Sequence, residues 1–510
     1  MMRYGFLIDQ NRCIGCHACT VACKEEHNVP IGVNRTWVKY IEKGQFPDTR
    51  RHFAVLRCNH CDAAPCIDIC PTVALFRHPN GIVDFDNDRC IGCKSCMQAC
   101  PYDALYIDPN SHTAAKCNFC AHRVEIGLKP SCEIVCPTQA ILSGDLDDPE
   151  SQISNIARSN NVTVRKPEKG TQPKLSYLGV DEDLLEPTRM TPQSSHLWGE
   201  KQQGEDEFFA GKGNQLFNPG VVREVYDAPH PQTWGRMIAS YLWTKSIAAG
   251  VILIAAMLTG IGYSDERLTG FVSPILALIF TTITVGLLVF DLKRPERFFY
   301  ILIKPNLGSW LVLGGYILLL FGVMAFLWLA FAFVSGTVPW LVHWLAAILA
   351  IGSAGYSAFL FAQAKGRELW QSRLFFWHLI VQAVTAGAAT LILCAALLGT
   401  GPEITSALAK SLAYSLGIGV VLLMGELFLP HRSEDSRRAT NLIKTGALSL
   451  NFWGLVIVAG FVLPLLFIVI PGASNESTPL FQVLASTLAL IGLWVFEDLW
   501  IKAGQAVPLS

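Results

Sequence analysis

Sixteen of the 17 cysteines lie between Cys13 and Cys136, in four groups of four. The groups are Cys13, Cys16, Cys19 and Cys23; Cys58, Cys61, Cys66 and Cys70; Cys90, Cys93, Cys96 and Cys100; and Cys117, Cys120, Cys132 and Cys136. The first and third share the run C-x2-C-x2-C-x3-C. In such a run three thiolates on a tight loop reach three irons of one cubane, while the fourth begins a helix and points at a neighbouring cluster. Gly15 and Gly92 inside these loops allow unusual backbone angles and leave amides free to hydrogen-bond cluster sulfur. The chemistry expected is electron transfer through iron–sulfur clusters.

Two other uses of cysteine compete with this reading. A secreted disulfide framework needs no fixed short spacing, and Met1 to Gln10 lacks the basic and apolar segments of a secretory leader. Zinc suits C-x2-C pairs, but only the fourth group, with eleven residues between Cys120 and Cys132, resembles a zinc site on its own. The other groups are too dense in cysteine for separate zinc ribbons.

The segment repeats itself. Asp9 to Cys16 (DQNRCIGC) recurs as Asp86 to Cys93 (DNDRCIGC), and Cys70 to Leu75, Cys100 to Leu105 and Cys136 to Ile141 share a Cys-Pro-x-x-Ala-Leu/Ile pattern. Two ferredoxin-like modules are expected in one α+β domain over residues 1–182, with strands at Tyr4–Ile8 and Gly81–Phe85. These motifs resemble the four-cluster subunit of the molybdopterin oxidoreductases, such as dimethyl sulfoxide, polysulfide and nitrate reductases. The resemblance implies four [4Fe–4S] clusters and pairs the first group with the fourth and the second with the third. The implied ligand sets are Cys13, Cys16, Cys19 with Cys136; Cys117, Cys120, Cys132 with Cys23; Cys58, Cys61, Cys66 with Cys100; and Cys90, Cys93, Cys96 with Cys70. It further implies that the first set faces a catalytic partner of the molybdopterin type and the last lies nearest the membrane.

Residues 183–233 are rich in Pro, Gly, Gln, Asp and Glu and read as an extended linker. From residue 234 to 510 the chain carries eight apolar stretches, at 239–263, 270–291, 308–334, 339–364, 374–398, 404–429, 447–470 and 480–502. Each is long enough to cross a hydrocarbon core of about 30 Å, so an all-α domain of eight transmembrane helices is expected. An even number of spans puts both ends on one side. Loops on the cluster-domain side hold Lys293, Arg294, Arg297, Lys304, Lys365, Arg367, Arg373, Arg432, Arg437, Arg438 and Lys444, against Arg267 and Lys410 on the other. By the positive-inside rule the protein belongs in the prokaryotic inner membrane with its cluster domain in the cytoplasm. The net charge of -1 gives no reason to expect nucleic acid.

Tyr241 to Gly250 (YLWTKSIAAG) and Asp291 to Arg297 (DLKRPER) are similar to the polysulfide-reductase membrane subunit, the NrfD-like family. That resemblance implies a quinone-reactive domain without haem. The residues agree, since His343 and His378, the histidines inside spans, fall near opposite faces and a bis-histidine haem needs both at one level.

Polar groups inside a bilayer are costly and mark function. Tyr241, Lys245, Asp291, Gln363, His378, Gln382, Glu426, Asn451, Glu497 and Asp498 all fall toward the cluster-domain end. A menaquinone or ubiquinone headgroup is therefore expected there, with His378, Glu426, Lys245 and Asp291 handling protons and Glu426 the preferred carrier. Helix capping by Asp291, Glu497 and Asp498, and snorkelling by Lys245, are the structural alternatives. Cys394 reads as a small buried side chain. The expected function is electron relay between a separate catalytic subunit and the quinone pool. An ion-translocating module and a structural anchor feeding a soluble carrier are the competing readings.

Overall fold

The computed structural model describes residues 2–45, 47–190, 222–263, 265–431, 433–473 and 479–510. The middle of the expected linker, 191–221, and Arg432 lie outside the described residues.

The N-terminal domain is built on β1 (Tyr4–Asp9), whose alternation-free centre Phe6-Leu7-Ile8 is wholly buried. A strand buried on both faces must be flanked on both edges. Here β8 (Ile141–Asp145) pairs antiparallel on one edge and β10 (Leu175–Leu178) parallel on the other, with β9 (Val162–Thr163) beyond it. Two small hairpins follow the inner cysteine groups, β4 (Leu75–Arg77) with β5 (Val83–Phe85) and β6 (Leu105–Ile107) with β7 (Ala114–Lys116). The repeated Cys-Pro-x-x-Ala-Leu/Ile motif has the same outcome each time: β4, β6 and β8 start at its last residue. Short helices sit among the cysteine groups between strands: α1 (Ala18–His27) with Cys19 and Cys23, α2 (Pro65–Asp68) with Cys66, α3 (Ser95–Ala99) with Cys96, α4 (Ala121–Val124), which starts just after Cys120, and α5 (Ser131–Ile134) with Cys132.

A long hairpin, β2 (Thr36–Gln45) with β3 (Asp48–Arg57), lies outside the repeats. It corrects the linker expectation at one end, because β11 (Val222–Tyr226) adds to β2 as a third strand. The strand is only five residues long and lacks a strong apolar pattern, so composition reads it as linker. Lys39, fully buried on β2, holds it by reaching Glu224 at 2.9 Å and Asp227 at 2.7 Å. At the other end, Glu182–Leu185 forms a helical turn capped by the Asp181 side chain.

Among the described residues eight helices are long and apolar enough to cross a membrane: Arg236–Gly260, Glu266–Asp291, Trp310–Ser335, Trp340–Gln363, Phe375–Leu398, Pro402–Phe428, Ser449–Ile470 and Pro479–Ala506. The second opens with π-helical turns at Glu266–Val272 and the seventh contains them over Phe452–Val462. Spans one to four pack as one bundle and spans five to eight as another, joined mainly where the first span meets the fifth, with the fourth span also on the fifth and the first on the eighth. Glycine permits that joint. A β-carbon on Gly250 would sit 1.9 Å from the Ala383 carbonyl oxygen, and one on Gly387 would sit 2.1 Å from the Gly250 carbonyl carbon. The two backbones are in contact and no side chain fits between them.

Loops between spans grip the cluster domain. Arg294 Nε donates to the Ser111 carbonyl at 2.8 Å, Arg297 Nη1 to that of Asn87 at 2.6 Å, and Asn306 Nδ2 to that of Cys70 at 2.8 Å. Arg367 Nε meets the Gln98 amide oxygen at 2.8 Å, while Gln98 donates in turn to Gln505 on the last span. Part of the basic loop charge therefore serves the joint between domains.

Candidate functional site

All 17 cysteines are free thiols. Among the described residues no three His, Cys, Asp or Glu side chains converge closely enough to hold a single metal ion. The cysteines instead surround spaces. Cys13, Cys16, Cys19 and Cys136 line one cavity, and Cys70, Cys90, Cys93 and Cys96 line another. Cys23 faces Cys117, Cys120 and Cys132 at a range where charged thiols repel, and Cys66 faces Cys58, Cys61 and Cys100 in the same way. Each foursome takes one cysteine from a distant group, so the fold interleaves the groups.

Local backbone explains how three thiols of a loop turn inward. His17 and Lys94 occupy equivalent places in the repeat, with φ of 60° and 64°, and start α1 and α3 from the left-handed region. Gly15 and Gly92 two residues earlier have φ of 69° and 67°. Such runs leave amides pointing at sulfur: Ala140 N lies 3.2 Å from Cys136 Sγ, Ala114 N 3.3 Å and Gly92 N 3.4 Å from Cys90 Sγ. Burial pushes the Cys19 thiol up to about 11 and those of Cys61, Cys93, Cys100 and Cys117 up to about 12. Thiols in such surroundings ionise only against a bound cation, which the iron of a cluster supplies. Donor set, amides and burial all fit [4Fe–4S] groups.

The foursomes are strung in a row. Cys19 of the first is within electrostatic reach of Cys132 of the second, Cys117 of the second reaches Cys58 of the third, and Cys66 of the third reaches Cys96 of the fourth. The row ends at the membrane domain. There a cavity of about 630 Å³ opens between the second and third spans, walled by Cys93 and Ser95 of the cluster loop, Trp234, and Tyr241, Asp291 and Tyr356 of the helices. Leu319, Val323 and Phe326 also line it while standing exposed on the outer surface of the bundle, so its mouth faces the lipid.

Among the polar residues expected at a single headgroup site, Tyr241 and Asp291 line this cavity. Lys245 lies one layer behind, fully buried, donating to Ser357 Oγ at 2.6 Å and the Ala354 carbonyl at 3.0 Å with its ammonium 4.6 Å from the Tyr356 ring centre. Glu497 is buried in the last span near Lys245, with neither carboxylate oxygen hydrogen-bonded. The other expected residues stand elsewhere. Gln363 accepts from Trp310 N and donates to the Gly308 carbonyl, capping the third span. Glu426 accepts from Ser372 Oγ at 2.5 Å, His378 and Gln382 line a separate small cavity in the second bundle, and Asn451 is exposed. They share a membrane depth with Tyr241 but not a face, and depth was all the sequence carried. His343 sits at the far end of the fourth span, its ring tilted against that of Trp328 with centres 4.5 Å apart.

Lys94, Ser95, Trp234, Tyr356 and Ser357 were missed. A tyrosine followed by serine in the middle of an apolar span was a usable signal for the last two. The approach of a cluster loop was not visible in any local pattern.

These features define a class: a ferredoxin-type electron-transfer domain fused to a multi-pass helical membrane domain. Residues 50–146 match a 4Fe-4S dicluster domain and residues 4–25 a 4Fe-4S binding domain. The chain belongs to the polysulphide reductase NrfD family, which matches residues 224–508. Protein NrfC of Escherichia coli is 46% identical over 177 residues, covering 34% of this chain and 79% of its own length. The arsenate respiratory reductase iron-sulfur subunit ArrB of a Shewanella species is 34% identical over 227 residues, 35% of this chain and 96% of that protein. The thiosulfate reductase electron transfer subunit PhsB of Salmonella typhi is 47% identical over 153 residues, 29% and 80% of the two proteins. The protein is thus an iron–sulfur electron-transfer subunit joined to the NrfD-type membrane part of a reductase complex.

Proposed function

We propose that this chain relays electrons between a separate catalytic subunit, of the molybdopterin type, and menaquinone or ubiquinone in the lipid-facing cavity. The observation that carries the reading is the shared wall of that cavity, where Cys93 and Ser95 of the cluster domain meet Tyr241 and Asp291 of the spans. A headgroup seated there lies beside the end of the cysteine row and within reach of a phenol and a carboxylate. Bound clusters supply one-electron steps; the chain's residues position the headgroup, exclude water from the row and hold the protons. Tyr241 offers a hydroxyl donor, and Asp291, reached from the cluster side by Lys94, takes or returns a proton at its carboxylate. Lys245, buried behind Tyr241 and near Glu497, orients Ser357, whose hydroxyl lies 3.4 Å from that of Tyr241.

The four ligand sets implied by the sequence resemblance agree with the four foursomes, which supports four [4Fe–4S] clusters over residues 1–182. At the outer end of the row Cys16 is exposed, as are the apolar side chains Ile14 and Val21 of the first cysteine segment and Ile134 and Val135 of the fourth, a surface suited to the catalytic partner. No haem enters this reading, because His343 and His378 occupy opposite ends of the bundle. The residues 234–510 form the membrane unit. Lys304, Lys365, Arg373, Arg437 and Lys444 add charge on the cluster side beyond the residues that grip the domain, which supports an inner-membrane protein with its clusters in the cytoplasm.

The test is anaerobic mixing of the purified chain with a quinol. Cluster absorbance should bleach and the paramagnetic signals of reduced clusters should grow. Clusters that dithionite reduces but quinol leaves oxidised, at any quinol potential below theirs, would refute the reading.

A further inference from the structure

Strand β3 ends on Arg57, one residue before the second cysteine group, and delivers its guanidinium into the middle of the cysteine row. The side chain is wholly buried. Nη1 donates to Cys132 Sγ at 2.9 Å, and the guanidinium carbon lies 4.6 Å from the Phe6 ring centre. Nε and Nη2 have no hydrogen-bond partner in the protein. Among the described residues no carboxylate pairs with Arg57; the groups whose negative charge would reach it once they hold metal are the sulfurs of Cys132, Cys117 and Cys19.

A buried cation without a counter-charge is strongly destabilising, and buried donors without acceptors are rare in folded proteins. Both conditions are relieved if thiolates and inorganic sulfides occupy the space beside it. Phe6 packs against one face of the guanidinium and restricts it to the plane from which Nη1 reaches Cys132. We infer that Arg57 is a fixed charge and sulfur donor for the cluster held by Cys23, Cys117, Cys120 and Cys132, and that it raises the reduction potential of that cluster above what the thiolates alone would set. This rests on the four-cluster reading above.

The physical reason is charge. A thiolate-bound cubane is anionic in both redox states and gains one further negative charge on reduction, with no bond made or broken. A cation held beside it therefore favours the reduced form, and hydrogen bonds to cluster sulfur act in the same direction. Arginine keeps its proton at every accessible pH, so the effect does not vary with pH. Its place beside the second foursome, within electrostatic reach of Cys19 of the first, puts the charge at a relay point which an electron must cross.

The experiment is a redox titration of the full-length anaerobic protein, followed by the paramagnetic signals of each cluster, for wild type, Arg57→Gln and Arg57→Lys. With iron and sulfide content unchanged, Arg57→Gln should lower one midpoint so that the reduced-to-oxidised ratio at fixed ambient potential falls tenfold or more, about 59 mV for one electron. Arg57→Lys should restore most of the shift. Unchanged midpoints in an iron-replete Arg57→Gln protein would overturn the inference. If that variant loses iron, wild type grown on isotopically labelled arginine decides: hyperfine coupling of one reduced cluster to arginine nitrogen supports the inference, and its absence overturns it. Wild-type protein with too little iron for four clusters would instead bring down the underlying reading.

Discussion

Lys94 Nζ lies 2.9 Å from Asp291 Oδ2, an ion pair that joins the last cysteine loop to the end of the second span. Lys94 owes its direction to the left-handed backbone between Cys93 and Cys96, and Asp291 closes the helix that walls the cavity. The side chains are 7% and 15% exposed, so water screens the pair little. The link is therefore a structural tie between the end of the row and the wall of the cavity.

Replacing Asp291 by Asn keeps the shape and removes the proton acceptor. Quinol-dependent cluster reduction should fall about a hundredfold, as for loss of a general base, while dithionite-reduced spectra stay as in wild type. A rate within twofold of wild type would remove Asp291 from the proposed chemistry.

Gly322 lines the cavity from the third span, and a β-carbon there would meet nothing within 4 Å. Gly322→Phe should therefore fold and fill the passage to the lipid. The expected signature is a KM for long-tailed quinol raised about tenfold, some 1.4 kcal/mol of binding, with kcat retained. Equal KM values would place quinone entry elsewhere.

The contact of Gly250 with Gly387 allows no side chain. Gly250→Ala should cost about 1–3 kcal/mol through overpacking and lower the thermal unfolding temperature in detergent. Gly454, where a β-carbon meets nothing within 4 Å, provides the control: its alanine variant should melt near wild type.

Glu26 ties α1 to the fourth cysteine group, with His122 Nε2 at 2.7 Å, Arg123 Nη1 at 3.1 Å and the Ser131 hydroxyl also on its carboxylate. Hydrogen bonds from Ser131 and His122 and the charge of Arg123 hold its carboxyl down at about 2. An unfolded glutamate titrates at about 4.3, so the tie contributes fully above that pH and is lost as pH falls toward about 2. Glu26→Gln should flatten the stability of the cluster domain across that window, followed by the loss of cluster absorbance. An acid profile identical to wild type would show that the tie contributes nothing.

How far the sequence could be read depended on whether the information was local. The cysteine loops, the repeated motif that begins β4, β6 and β8, and the eight spans are all encoded within stretches of some 6 to 25 neighbours, and all were legible. Strand β11 was not, because its partner Glu42 pairs with Arg223 across 181 residues and its own pattern is short and charged.

The membrane site shows the same division. Hydropathy along a span reports how deep a polar residue lies, and Tyr241, Asp291, Gln363, His378, Gln382, Glu426 and Asn451 agree in depth. Which way each points around its helix depends on neighbouring helices, since spans that are apolar on every side carry no periodic signal of their own. By itself the sequence determined the four cysteine groups and, among the described residues, the eight apolar spans. Only the tertiary structure decided that Lys94 meets Asp291, that Tyr356 joins Tyr241 at one cavity, and that Arg57 meets Cys132 among the thiols with no carboxylate partner among the described residues, because each is a meeting of segments far apart in the chain.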